Sequence, residues 1–316
     1  MDLVKEVPVD PQSITAPLSR SAIFLNLDVK SSEEALDTVR TLLGGIDGLI
    51  RTVGFRDISA QLSCVVGLGS QFWDRLEPTR RPAQLKDFTE IKGAQHTAVA
   101  TGGDLFFHIR ATREDFCFEL EKLILEKLGS SVTVSDEVRG FRYFDDRDLL
   151  GFVDGTANPT GPLLEESAVI GSDDPEFIGG SYITIQKYLH EIPAWQNLTV
   201  EKQEAIIGRT KLGNVELDDA DPKQLSHKTL ATIATCDGQE YKILRDNMPF
   251  GHPGESEFGT YFIGYTSQLW VLDKMLERMF LGTEESSPDH ILDFSRAVTG
   301  ATFFAPTVTM LKTLGG

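Results

Sequence analysis

GDLFFHIRATREDFCFELEKLILEKLG, residues 103–129, has a counterpart in GTYFIGYTSQLWVLDKMLERMFLG, residues 259–282. Each phrase runs from a glycine through an aromatic strand and a short polar turn into a helix with acid–lysine or glutamate–arginine pairs. Each then closes on a glycine. In the first helix Phe116, Leu120, Leu123 and Ile124 form the apolar face, Thr112 is the expected cap and Gly129 the stop. In the second, Leu269, Leu272, Leu276 and Met279 share one face and belong to a core. A strand-turn-helix phrase used twice, about 150 residues apart, predicts two related α+β halves.

The surrounding elements fit that unit. Residues 21–29 (SAIFLNLDV) alternate as a strand does, and Ser31 with Glu34 makes a capping-box pattern. The helix that follows places Leu36, Val39, Leu43 and Ile46 at helical spacing. Residues 62–67, 105–111 and 132–138 are further strands, so the order is β-α-β-β-α-β, the ferredoxin-like pattern. In the second half residues 180–188 (GSYITIQKY) open as a strand, and a helix over 200–207 answers the first half's early helix. The expected division is an N-terminal arm over 1–20, punctuated by Pro8, Pro11 and Pro17, a first ferredoxin-like domain over 21–150 and a second over 151–316. Residues 139–180 and 213–226 are loop-like, and long irregular stretches inside a compact chain usually carry function.

Composition bounds the function. The 316 residues are 41% hydrophobic, and 30 Lys+Arg against 48 Asp+Glu leave a net charge of -18. Such a surface repels phosphate backbones and anionic membranes, so nucleic-acid and membrane partners are not expected. Cys64, Cys117 and Cys236 lie far apart with no CxxC pair, offering neither a disulfide framework nor a zinc site. The acidic, proline-bearing start lacks the apolar core of a signal peptide, and no apolar run approaches a membrane span. The expected compartment is the cytoplasm. Neither a Walker A loop nor GxGxxG occurs, which argues against P-loop and Rossmann chemistry.

None of the six histidines (96, 108, 190, 227, 252, 290) is paired at HxH or HExxH spacing. A multi-histidine metal centre therefore has no support, although one imidazole can ligate iron when a porphyrin supplies four other positions. His108 sits inside a strand as a core or surface residue, and His227 follows an acidic loop. Asp154, in GFVDGTANP, has the look of a turn residue, and Arg245, in YKILRDNMPFG, that of a surface charge.

Taken in order, however, GFVDGTANP (151–159), Ser226-His227, ILRDNMPFG (243–251) and DHILDFSRAVTG (289–300) resemble the dye-decolourising peroxidases. The likeness runs from about residue 20 to the end and is closest to the compact B-type members. It implies that the two halves pack as a dimeric α+β barrel-type sandwich with haem b (iron protoporphyrin IX) held by the second. His227 would be the proximal iron ligand. Asp289 would accept its other imidazole N–H, with Asp293 as fallback. Asp154, Arg245 and Asn247 would line the distal, peroxide-binding face, Arg209 would meet a haem propionate, and Phe262 would wall the pocket or serve as strand core.

The chemistry implied is reduction of hydrogen peroxide to water, with one-electron oxidation of dye-like or phenolic donors through an oxo-ferryl species. A carboxylate can move the peroxide proton if ionised, and an aspartate, with an unperturbed pKa near 3.9, is a base over an acidic range. Arg245 keeps its charge and can stabilise negative charge as the O–O bond breaks. Trp73, Trp195, Trp270, Tyr143, Tyr188 and Tyr265 are the available electron relays for bulky small aromatic reductants. Ala157 stands where several relatives place an acid, which weakens a manganese site. The chain stops at Gly316 without the C-terminal extension by which some members dock into an encapsulin shell, so that shell is the least favoured of the partners the resemblance implies; a homo-oligomer is expected. Two rival readings are a haem-handling protein with incidental peroxidase activity and a cofactor-free ferredoxin-like oligomer binding a small apolar ligand.

Overall fold

The computed structural model describes residues 9–235 and 238–316, so Cys236 and residues 1–8 of the arm lie outside the described residues. The first half contains β1 (Ser21–Val29), α1 (Glu33–Gly54), β2 (Ser63–Gly69), β3 (Leu105–Ala111), α2 (Glu114–Leu128) and β4 (Val132–Phe141). The second contains β5 (Ser181–His190), three short helices α3 (Ile192–Gln196), α4 (Val200–Ile207) and α5 (His227–Leu230), then β6 (Leu244–Arg245), β7 (Met248–His252), β8 (Glu257–Thr266), α6 (Leu269–Leu281), β9 (Ser295–Ala297) and β10 (Ala301–Ala305).

The strands form one antiparallel sheet in the order β6-β8-β5-β10-β2-β3-β1-β4, with β7 also on β8 and β9 also on β5. Within each half the first strand is central and flanked by the third and fourth, as the ferredoxin-like pattern requires. The halves join where β10 meets β2, Phe303 opposite Gly69. Near this seam Gln12 of the arm bonds Val66 in both directions and donates to the Pro306 carbonyl, each at 2.8 Å. At the far edge the sheet curls back on itself, so that a Cβ on Gly140 of β4 would fall 2.6 Å from the Cβ of Met248 of β7. Only a residue without a side chain permits that approach. The inward faces of both halves then share one apolar core of Phe24, Val65, Phe106, Ile183, Met248, Tyr261 and Phe303. This is the expected barrel-type union of two ferredoxin-like α+β units.

Outside the barrel, the first half buries Ile23, Leu25 and Leu27 against Leu36, Val39, Leu43 and Ile46 of α1 and Phe116, Leu120 and Ile124 of α2. On the second half α6 supplies Leu272, Met275, Leu276 and Met279 to a smaller outer core with Phe262. Two expected caps move. Ser32, not Ser31, caps α1, its Oγ accepting the Ala35 N–H at 3.2 Å. Thr112 caps nothing, because its hydroxyl donates to the Ser59 carbonyl and Arg113 is the residue before α2. The stretch 139–180 is not all loop: β4 continues to Phe141, and Pro162–Ala168 forms a helix behind a proline at its first turn.

Candidate active site

On the outer face of the second half, β5, β6 and β8 form the floor of a cleft whose roof is α6 and whose sides are α5 and the segment 148–157. Its empty space is about 1470 Å³, part of it open to solvent. That is above the roughly 300–1,000 Å³ usual for ligand pockets, and so offers room for a tetrapyrrole. Of the seven residues given site roles from sequence, six line it, Asp154, Arg209, His227, Arg245, Asn247 and Phe262, and Tyr188, one of the relay candidates, lines it too.

Asp289, the seventh, stands behind the wall. It is 1% exposed, and its Oδ2 accepts the His227 Nδ1–H at 2.7 Å. Its Oδ1 is held by the Ile291 N–H at 3.0 Å, so the carboxylate cannot turn away. The bond fixes the imidazole tautomer and directs Nε2 into the cleft, where the exposed third of the His227 side chain lies. Burial disfavours the imidazolium, but the charge and hydrogen bond of Asp289 outweigh it and raise the His227 pKa. Asp293, the alternative partner, is engaged elsewhere, accepting from His96 at 2.8 Å and His290 at 2.9 Å.

Arg245, at the end of β6, and Asn247, in the two-residue link to β7, take consecutive cleft-facing positions. Among the described residues the Arg245 guanidinium meets a neutral carbonyl and a thioether, at 3.4 Å to the Ala231 oxygen and 3.2 Å to the Met275 sulfur. Among the described residues it has no ion pair, so its charge is available to an anionic ligand. Burial lowers its pKa and Asp154 opposes that shift, yet an arginine remains charged at working pH. Asn247 donates to Asp154 Oδ1 at 3.5 Å while its own Oδ1 accepts the Ile263 N–H at 3.2 Å. Asp154 Oδ1 also accepts the Gly155 N–H at 2.7 Å, and among the described residues no partner occupies Oδ2, which is open to a ligand proton.

Arg209 reaches the cleft edge but is bonded to Glu216 and to the Asn214 carbonyl at 3.1 Å. Phe262 is 9% exposed and belongs both to the wall and to the outer core. His108 is fully buried, with Nδ1 on the Tyr265 hydroxyl at 2.8 Å. Trp73 and Trp195 are interior packing residues, whereas Trp270 is 39% exposed and stands edge-on to Tyr241 at 4.8 Å.

Sequence reasoning missed three members of the site. Asn158 clamps the backbone of Arg245, its Oδ1 accepting the N–H at 2.9 Å and its Nδ2 donating to the carbonyl at 2.7 Å. It lies inside GFVDGTANP, and an Asn before Pro in so glycine-rich a loop was the available signal. His190, bonded to Thr260 and Ser295, is kept neutral by burial, its pKa pushed down to about 4. Asp148 lines the same wall as Asp154, and burial pushes its carboxyl up to about 7.

The cleft suits a porphyrin: one free imidazole nitrogen on an apolar floor and wall, backed by a buried carboxylate, with a carboxylate, an amide and an unpaired guanidinium on the same cavity. Comparison with known proteins agrees. The family models for the N-terminal and C-terminal parts of Dyp-type peroxidases match residues 11–142 and 145–310. The chain belongs to that family and is a haem-dependent peroxidase, an oxidoreductase. A dye-decolorizing peroxidase of Mycolicibacterium paratuberculosis is 54% identical over 304 residues, covering 96% of this chain and 85% of that protein. DyPB of Rhodococcus jostii, variants of which have been solved in complex with heme, is 52% identical. Its fold superposes with a TM-score of 0.94 over 98% of this chain and 100% of that one. The encapsulated DyP-type peroxidase of Mycobacterium smegmatis is 48% identical, with a TM-score of 0.93 over 96% of this chain and 98% of that one.

Proposed function

We propose that the second half would hold haem b through Nε2 of His227 and that Asp154, Arg245 and Asn247, which line the same cleft, handle hydrogen peroxide. The observation that carries this reading is the buried Asp289–His227 bond of 2.7 Å, which turns the free imidazole nitrogen into the cleft lined by those three groups. Bound haem supplies the iron at which peroxide is split and the oxidising equivalents passed on to the donor.

The chain's own residues manage the protons and charge. Asp154 takes the peroxide proton at Oδ2 and returns it to the departing oxygen. Arg245, with no ion pair to satisfy it, stabilises the negative charge that develops as the O–O bond breaks. Asn247 orients peroxide or water without adding charge. Asp289 accepts from Nδ1 and makes His227 the stronger donor. Arg209 would hold a propionate in place of its contact with Glu216, and Phe262 would give the macrocycle an apolar wall. Phenols and dye-like aromatics are the proposed reductants.

The proposed domain division, an arm to residue 20 and halves meeting near 150, is supported by the two family models that end and begin at 142 and 145. Among the described residues no helix is long and apolar enough to cross a membrane. We place the protein in the cytoplasm, a reading supported by its acidity and by the unpaired, buried Cys64 and Cys117. Self-association is proposed and is read by sedimentation. Co-expression with an encapsulin shell protein tests whether this chain shares the enclosed state of the M. smegmatis relative.

Stopped-flow absorbance of the haem-loaded protein with one equivalent of H2O2 tests the reading. A fast change of the ferric Soret band supports it. A stable spectrum that ignores peroxide would remove the distal roles and favour haem handling.

A further inference from the structure

From Ile243 to Met248 the extended chain, through β6 and its two-residue link to β7, keeps the alternation of sides that a strand has. Ile243, Arg245 and Asn247 line the cleft, whereas Leu244 and Met248 enter the barrel core. Asp246 faces the same way as these last two. It is a carboxylate, 1% exposed, in an interior built from aromatic and aliphatic side chains.

Its partner comes from the other half of the molecule. Arg110 of β3 donates to Asp246 Oδ2 at 2.8 Å, with the two side chains 1% and 0% exposed. Arg110 is itself tied to the Ser13 carbonyl of the arm. His108 Nε2 stands 4.0 Å from the same Asp246 oxygen, with its ring stacked on Phe24 and its Nδ1 on Tyr265. Burial and the neighbouring Arg110 charge keep that histidine neutral.

Such a pair is poor economy for stability alone, since an apolar pair of similar volume would often serve as well. The backbone shows where it is needed. The ladder is regular at Arg245–Gly264 and again at Met248–Tyr261; between them the Asp246 N–H donates to the Ile263 carbonyl at 3.2 Å, but the Ile263 N–H goes to the Asn247 side chain instead of a backbone carbonyl. Asp246 thus anchors the two residues flanking it through one backbone bond to β8 and, at its side chain, through Arg110. No residue of β1 to β4 lines the cleft.

We propose that the buried Asp246–Arg110 ion pair is a positioning device for the distal site. It fixes the 245–247 segment from behind and thereby lets the N-terminal half set the placement of the Arg245 guanidinium and the Asn247 amide. The proposal rests on the reading of those two residues as distal groups. Asp246 and Arg110 touch neither haem nor peroxide and act only through their neighbours.

The test compares the haem-loaded parent with Asp246→Asn, with the double variant Asp246→Leu/Arg110→Met, and with Arg245→Leu. Haem content, the rate with H2O2 and the dissociation constant of the ferric–cyanide complex are measured for each. Should Asp246→Asn fail to fold, the double variant, which replaces both charges with apolar volume, carries the decision. The expected result is unchanged haem content, a peroxide reaction about 10²-fold slower, as a misplacement of about 1 Å would give, and cyanide bound about tenfold more weakly. A purely structural role would lower the melting temperature and leave the rate and cyanide affinity of the folded protein at parental values, which overturns the proposal. A parental rate in Arg245→Leu would overturn the distal reading beneath it; a slow Arg245→Leu beside a parental double variant overturns the positioning role alone.

Discussion

Replacing Asp148 by Asn should stabilise the protein, and only above a certain pH. Asp148 sits in the cleft wall with its Oδ1 accepting the Phe152 N–H at 2.9 Å, a bond that an amide oxygen can keep. Burial pushes the carboxyl up, the Phe152 hydrogen bond opposes this, and the charge of Asp154 adds to it, carrying the pKa from 3.8 to about 7. Between those values the folded protein holds a proton that the unfolded chain has released. Stability therefore falls as pH rises through that window; the cost of the ionised group is absent below it and complete above it. At 1.36 kcal/mol per pH unit the ceiling is about 4 kcal/mol, and water in the cleft reduces the working figure to about 2 kcal/mol. Urea unfolding of parent and Asp148→Asn at pH values of about 4, 6 and 8 gives the comparison. The two should coincide at the lowest pH and diverge in favour of the variant as pH rises. A difference that does not grow with pH, or a variant less stable at about pH 8, would refute the argument.

Three further outcomes follow from the site. His227→Ala should lose haem or hold it weakly, read by the Soret-to-protein absorbance ratio after gel filtration, and retention of an unchanged spectrum would sink the ligand assignment. Arg245→Leu should keep haem and react with peroxide about 10²–10³-fold more slowly, the usual effect of removing one preorganised charge-stabilising donor; a near-normal stopped-flow rate would shift the work to Asp154. Asn158→Ala removes both bonds that clamp the Arg245 backbone. It should cost about 2–4 kcal/mol in urea unfolding and slow the peroxide reaction as well; stability lost without any change in rate would make Asn158 a structural residue only.

The parts of the fold that could be read in advance were those written as local periodicity. The strand at 21–29 and the helical faces of Leu36-Val39-Leu43 and Leu269-Leu272-Leu276 carry their pattern within one element. The site was legible through resemblance rather than pattern. Alone, Asp154 is indistinguishable from a turn residue and Arg245 from a surface charge, because neither sequence position says which face of the sheet is covered. Asn158, His190 and Asp148 went unread for the same reason. Their roles come from partners 87, 70 and 105, or only 4, positions away, and no spacing rule joins Asn158 to Arg245. The caps slipped because Ser31 and Ser32 are adjacent, and only the helix geometry chooses between their hydroxyls.

Two halves with one strand order raise the question of why only the second holds a cleft. In the first half the crossover from β1 to β2 is α1, 22 residues long, and together with α2 it seals the outer face of the sheet. In the second half the equivalent crossover is broken into α3, α4 and α5, of 5, 8 and 4 residues. No long helix is left to lie on Tyr188, Arg245 and Phe262, and α6 covers only one side of that face. The cleft is the volume α1 would have filled. The same interruption delivers the proposed ligand: α5 begins at His227, so the imidazole stands at a helix start on the rim of the gap, within reach of Asp289. A continuous helix would have buried the face and left no turn from which a histidine could enter it. The chain thus gives up outer-face burial in one half to make a binding site, and the sealed half, joined to it through the barrel, supplies the rigidity.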